Sequence, residues 1–366
     1  MAANPPLSPQ GVISSRLASE TNAVPAAWRT KQFVLLGLVA LLAIWYALVG
    51  WRSPSGDSGV ADRFSPFDLL GFGLLGTLVW LTTPVAWTVA TTTFQEAIRR
   101  KWMTALLGFA VVMLAVSTFF TWMQPGEEQK FLRDYGIGFT VIMTLIAAIF
   151  LGVALIPPEI ERRTIFTILS KPVTRLEFLI GKYLGLMITL LVNLLIMSAI
   201  FLLAYSWFVI SKEGLDKAWL SDGLGVSRQG LGFDLLNLSK ALFLHLGTLS
   251  IMAALSIMLS QFLSGITAII AGFIVYFLGQ SASYWERLAG GSGAASEAAK
   301  LSPTIRGLVD TVYFVLPRLD RFDARERLVN ELPIGLNYLV KAGASGAIYT
   351  AVLLTIAHFA FSDREF

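Results

Sequence analysis

Apolar runs of roughly twenty residues alternate along this chain with short polar connections, the pattern of helices that cross a bilayer core. Eight such runs lie at approximately 33–51, 68–92, 103–123, 137–156, 178–209, 241–263, 265–285 and 339–361. The expected fold is therefore an all-α polytopic membrane protein with about eight transmembrane helices. Pro84 falls in the second run, where a membrane helix tolerates it with a kink. The fifth run is longer than a bilayer needs, so its helix is expected to tilt or to project.

The densest polar interruption is PPEIERRTIFTILSKPVTRLEFLIGKYLG, from Pro157 to Gly185. Ile165, Ile168 and Leu169 recur at i, i+3 and i+4, while Arg162, Arg163, Thr164 and Thr167 point in other directions, which predicts an amphipathic helix. Pro157 and Pro158 suit its first turn, Glu159 and Glu161 suit the positive end of its dipole, and Lys171-Pro172 stops it. Thr174 and Glu177 have capping-box spacing and would start a second helix that enters the membrane at Phe178. A second feature, FQEAIRRKW, precedes the third run. Thr93 and Glu96 have the same capping-box spacing there, so Phe94, Glu96, Arg99, Arg100 and Lys101 read either as an elbow helix on the membrane surface or as a basic flank.

Composition narrows the function classes. Of 366 residues, 55% are hydrophobic and 14% charged, with mean hydropathy +0.68, whereas soluble domains carry about 25% charged residues. The net charge of +4 gathers beside the apolar runs, so it reports topology and gives no reason to expect nucleic-acid binding. With no cysteine, disulfides, thiolate metal sites and lipidated cysteines are excluded. Two histidines leave little scope for metal chemistry.

Orientation follows from the short connections. One side holds Arg16, Arg29 and Lys31, then Arg99, Arg100 and Lys101, then Arg162, Arg163, Lys171, Arg175 and Lys182. The other holds Arg52, Arg63, Lys130 and Arg133. The positive-inside rule then puts both termini and the Pro157–Gly185 stretch in the cytoplasm. Residues 1–32 are expected to be a flexible cytoplasmic tail, and the run starting at Phe33 an uncleaved anchor. Segments 210–240 and 286–338 would face outward, the latter forming an outer cap with a short interfacial or re-entrant helix.

Candidate chemistry within the membrane is sparse. The span centres carry no Asp, Glu, Lys or Arg; His245 and His358 fall near run ends, and Asn193 is the main amide inside the fifth. These read as helix-packing or interfacial groups, so a proton relay within the spans is not expected. Gly343-Ala344-Ser345-Gly346 matches a GxSG protease string, but His358 lies about 20 Å further along the same helix and His245 precedes the serine, so close helix packing explains it better. Gly181 and Gly185 have GxxxG spacing, consistent with close packing or a dimer contact. Gly181-Lys182-Tyr183 lacks the upstream glycine and the Ser/Thr of a Walker A loop. The chain is therefore not expected to be an enzyme, and any ATPase would be a separate subunit.

PEIERRTIFTILSKPVTRLEFLIGKYLG, FQEAIRRKW, LPRLDRFD and the terminal FSDREF together resemble the ABC-2-type transporter permeases, nearest the group linked to multicopper-enzyme and nitrous-oxide-reductase maturation. The resemblance covers residues 93–366, with a coupling segment at 157–182 and an outer loop at 286–338; residues 33–92 would be two extra spans. It implies six helices per subunit and a dimer, homomeric or paralogous, in the bacterial inner membrane. It also implies a cytoplasmic ABC ATPase that binds ATP and Mg, with no cofactor in this chain. Under it, Glu159, Glu161, Arg162, Arg163, Thr164, Lys171, Pro172, Thr174, Arg175 and Glu177 belong to the ATPase-coupling region, and Phe94 to Lys101 to the elbow. Arg163 departs from the family pattern, standing where glycine is common. The expected function is ATP-driven movement of an unidentified substrate, with export as the expected direction; the alternative is a non-transport membrane scaffold or assembly factor.

Overall fold

The computed structural model describes residues 85–121, 125–155, 175–213, 231–282, 284, 316–329 and 334–362. All belong to the second of two compact units, Pro54–Phe366; the first is Met1–Ser53. Among the described residues the chain is helical, with no strand. The helices are α1 (Val85–Arg99), α2 (Lys101–Phe120), α3 (Glu128–Val153), α4 (Arg175–Glu213), α5 (Leu231–Phe262), α6 (Gly265–Gln280), α7 (Arg325–Val329) and α8 (Leu336–Ser362), with a 3-10 turn at Leu319–Phe322. Of these, α2, α3, α4, α5 and α8 are long and apolar enough to cross a membrane. They correspond to the third, fourth, fifth, sixth and eighth predicted runs. The first run, and the second up to residue 84, lie outside the described residues.

Three expectations are corrected. Thr93 does not cap a helix: it lies within α1 and its hydroxyl donates to the Val89 carbonyl one turn back, so residues 85–92 start an amphipathic helix that continues to Arg99. The seventh run, predicted to span over 265–285, gives a 16-residue helix that ends at Gln280, too short to cross a core of roughly 30 Å. Helices α3 and α5 start nine and ten residues before the predicted runs, because their polar first turns, EQKFLRDY and LGFDLLNLSK, are helical although not apolar.

Contacts fix the directions. Lys212 at the end of α4 pairs with Glu128 at the start of α3, and Gly136 faces Phe201, so α3 and α4 are antiparallel. Helix α5 runs parallel to α3, with Thr144 against His245 and Gly152 against Ser256. It also runs parallel to α8, with Gly247 beside Gly346 and Ser250 bonded to Thr350 at 2.8 Å. The starts of α2, α4 and α6 therefore meet the ends of α3, α5 and α8 at one end of the bundle, here called proximal; the opposite end is distal.

Each end carries a layer of ionisable side chains. The proximal layer contains Glu96, Arg100 and Lys182; the distal layer contains Arg133 and Asp234. Along α3, Arg133 is 21 residues from Ala154, whose carbonyl accepts from Arg100; at 1.5 Å per residue the layers stand roughly 32 Å apart, close to the thickness of a bilayer's hydrocarbon core. Between them the outward faces are apolar, including Phe109 and Val112 on α2, Leu195 and Leu203 on α4, and Ile270 and Ile274 on α6. The described chain is a helical membrane-embedded protein.

Candidate functional site

The proximal end gathers the described part of the predicted coupling region. Helix α1 is joined to α2 through one extended residue, Arg100 (φ −74°, ψ 112°), a bend within the predicted elbow segment. Its guanidinium binds Glu96 at 2.7 Å and reaches the Ala154 carbonyl at the end of α3 at 3.3 Å. Arg99 and Lys101 are exposed, and Phe94 is half-buried.

Helix α1 lies on the first turns of α4, and glycine makes that contact possible. A Cβ on Gly181 would stand 2.8 Å from the Ala86 carbonyl oxygen, and one on Gly185 would stand 2.6 Å from that of Ala90. The GxxxG pair thus serves a contact within the chain, in place of the dimer contact considered from its spacing. Lys182, buried on the same stretch, sits 3.7 Å from Glu96 and over the Phe178 ring.

Arg175 opens α4. It donates to the Phe361 carbonyl in the last turn of α8 at 3.0 Å and lies over the Phe361 ring, which stacks on Phe178. Glu177 is half-buried two residues later. Deeper in, the Tyr183 hydroxyl bonds Ser250 on α5 at 2.7 Å, and Ser250 bonds Thr350 on α8. The first three turns of α4 are thereby tied to α1, α5 and α8, while Arg100 ties the elbow to α3. Glu159, Glu161, Arg162, Arg163, Thr164, Lys171, Pro172 and Thr174 lie outside the described residues.

Asn193 is buried and donates to the Thr189 carbonyl on its own helix at 3.1 Å, so it bridges no helices through that bond. Ser345 donates to the Ala342 carbonyl at 2.7 Å, and its neighbour Gly346 packs against Phe322 and Gly247. Among the described residues no group of three or more His, Cys, Asp or Glu side chains is placed to hold a metal ion.

A second site was not legible in the apolar pattern. His245, placed near a run end from sequence, is 14 residues into α5 and 11 residues from Asp234. That puts it roughly 16 Å from the distal layer, near the bilayer midplane. Its Nε2 lies 2.9 Å from the Thr144 hydroxyl, whose single proton goes to the Thr140 carbonyl at 2.7 Å. The histidine Nε2 is therefore assigned as the donor in that contact.

His245 lines a small pocket with Thr248, Tyr276, Gln280 and Asp323. Asp323 accepts from Gln280 at 2.6 Å and from the Arg325 backbone amide at 3.0 Å. The span centres carry no acidic or basic residue, as the sequence shows, yet the segment after α6 brings Asp323 and Arg325 in beside them. No family model matches the chain, and no curated protein matches it at significant similarity.

Proposed function

We propose that this chain is the permease subunit of an ATP-driven ABC transporter of the ABC-2 type. In this reading it sits in a bacterial cytoplasmic membrane, with the proximal end inside, and exports an unidentified substrate. The observation that carries the reading is the junction at the start of α4. The chain enters α4 directly from the predicted coupling segment, and within its first turns Arg175, Lys182 and Tyr183 bind to α8, α1 and α5. A force applied at Arg175 acts on those helices together.

Helix α4 is 39 residues long and is assigned as one helix throughout, roughly 58 Å at 1.5 Å per residue, so it reaches from this junction past the distal layer. It is the element suited to carry a displacement across the membrane. The side of the junction follows from Arg99, Arg100, Lys101, Arg175 and Lys182, which the positive-inside rule places in the cytoplasm. ATP binding by the partner subunits would move the coupling segment, and coupling then requires that the ATPase contact the two states of the permease differently.

The midplane cluster favours a second reading, a transporter driven by an ion gradient, since charged groups at that depth are characteristic of such proteins. The same experiment separates the two. Changing Glu159, Glu161, Arg162 and Arg175 together to alanine is expected to abolish co-purification of an ATP-binding subunit while the chain remains folded in the membrane. Retention of that subunit with full ATP-dependent turnover would overturn the assignment.

A further inference from the structure

The segment Leu316–Val329 enters the bundle from the distal end and goes deep. Phe322 reaches Gly247, 13 residues beyond Asp234 on α5, and so lies roughly 20 Å from the distal layer. Four glycines on four helices make room for the segment. A Cβ on Gly138 (α3) would stand 3.1 Å from Arg325, and one on Gly279 (α6) 2.7 Å from the Pro317 carbonyl. On Gly247 (α5) and Gly346 (α8) it would stand 2.2 Å and 3.0 Å from the Phe322 ring. Helix α6 ends where this segment passes: its Gly272 faces Ile149 of α3, and its last residues abut Pro317 and Leu319.

The composition of the segment does not suit permanent burial in an apolar bundle. Seven of the ten residues from Arg318 to Arg327 are charged, yet Arg318, Asp320, Arg321, Asp323 and Arg325 are all half-buried. Non-helical backbone at membrane depth is tolerated where protein covers it or where it lines a water-filled cavity, and charges at that depth require the same. Its regular structure amounts to one 3-10 turn and the five-residue α7. Its apolar anchors include Leu319, Phe322, Ala324 and Leu328. Beside Phe322, on its distal side, is the pocket that His245 lines, which has room for about one water molecule and offers hydroxyl, imidazole, amide and carboxylate groups.

We propose that Leu316–Val329 is a plug. It closes an aqueous vestibule that opens at the distal end, and when it leaves its glycine-lined groove it joins that vestibule to the polar pocket at the midplane. Phe322 and Leu319 anchor the plug in its groove, and Asp323 and Ala324 cover the pocket; the charged residues keep the plug wetted on its vestibule side. The plug is independent of what drives the protein, so its test does not require a partner subunit.

The chain contains no cysteine, which permits single-thiol reporters. Leu319→Cys reports from the plug; Ser256→Cys, fully buried where α5 meets Gly152 of α3, reports from a fixed helix contact. With each variant reconstituted in nanodiscs, a charged methanethiosulfonate reagent is expected to modify Leu319→Cys at least about tenfold faster than Ser256→Cys, because local opening is less costly than opening the core. Adding Gly247→Ala, which pushes the Phe322 ring from its groove, is expected to raise the Leu319→Cys rate further and leave Ser256→Cys protected. If Gly247→Ala loosens the whole bundle and exposes Ser256→Cys, the milder Gly346→Ala decides in its place. Equal modification rates for the two reporters, with no gain in Leu319→Cys from either glycine change, would overturn the plug.

Discussion

Asp234→Ala is expected to destabilise the detergent-solubilised protein by about 3 kcal/mol, since removing one partner of a buried ion pair is strongly unfavourable. The Arg133 guanidinium binds Asp234 at 2.7 Å and donates through Nε to the Tyr205 hydroxyl at 2.9 Å, and that hydroxyl donates to the same carboxylate at 2.8 Å. Three helices, α3, α4 and α5, thus meet at one acid in the distal layer. The arginine side chain is 5% exposed and the aspartate 20%, so water screens the pair less than it would a surface pair. Replacing both charges by apolar residues of similar volume, Arg133→Met with Asp234→Leu, is expected to recover most of the loss. The measurement is survival of the monodisperse peak after graded heating. An Asp234→Ala protein as heat-resistant as the parent would show that the triad contributes little.

A comparable effect is expected at the proximal end. Gly185→Leu cannot be accommodated by side-chain rotation alone, because its Cβ would stand 2.6 Å from the Ala90 carbonyl oxygen, a backbone atom, and 2.6 Å from the Thr93 Cβ. Overpacking of a close contact costs about 1–3 kcal/mol even for small additions, so α1 is expected to lift away from α4. The readout is limited trypsinolysis of the membrane-reconstituted protein. The elbow sequence Arg99-Arg100-Lys101 should be cleaved much faster in the variant, while Gly108→Leu, with no atom near its Cβ position, should behave as the parent. Unchanged protection of the elbow in Gly185→Leu would mean that α1 is held by something other than its seat on α4.

Several parts of this architecture are legible in the chain alone. Apolar runs of bilayer length locate α2, α3, α4, α5 and α8, because the requirement to satisfy every backbone group inside lipid leaves helix as the choice for a long apolar segment. Helix ends are less legible, because hydropathy registers only what is apolar. The first turns of α3 and α5 carry Arg133 and Asp234, read from sequence as loop residues, and these form the distal layer. The capping-box spacing of Thr93 and Glu96 misleads for a related reason: the same threonine satisfies its hydroxyl by bonding one turn back within a helix that has already begun.

The candidate sites were legible unevenly. Gly181 and Gly185 are recognisable as close-packing positions, but spacing does not name the partner helix, and that partner is α1 of the same chain. The midplane cluster was missed because its charges come from Leu316–Val329, some forty residues beyond Gln280 in sequence. Only folding places Asp323 and Arg325 between α3, α5 and α6. Two sequence signals pointed there. LPRLDRFDARER alternates apolar anchors with charges, unlike an ordinary exposed loop, and Gly138, Gly247, Gly279 and Gly346 stand in four different apolar helices. The coupling segment itself remains an expectation from its caps and periodicity.

Under the proposed function, energy enters at the start of α4 from a separate ATPase. Purification of the full-length chain from its native membrane in mild detergent, with the mass of the intact complex measured, tests this most directly. Two copies of a permease-type chain carrying two copies of a soluble subunit with a Walker A loop are expected, with loss of that subunit when Glu159, Glu161, Arg162 and Arg175 are changed to alanine. A chain that leaves the membrane without an ATP-binding subunit, and transports in proteoliposomes on an ion gradient alone, would contradict it.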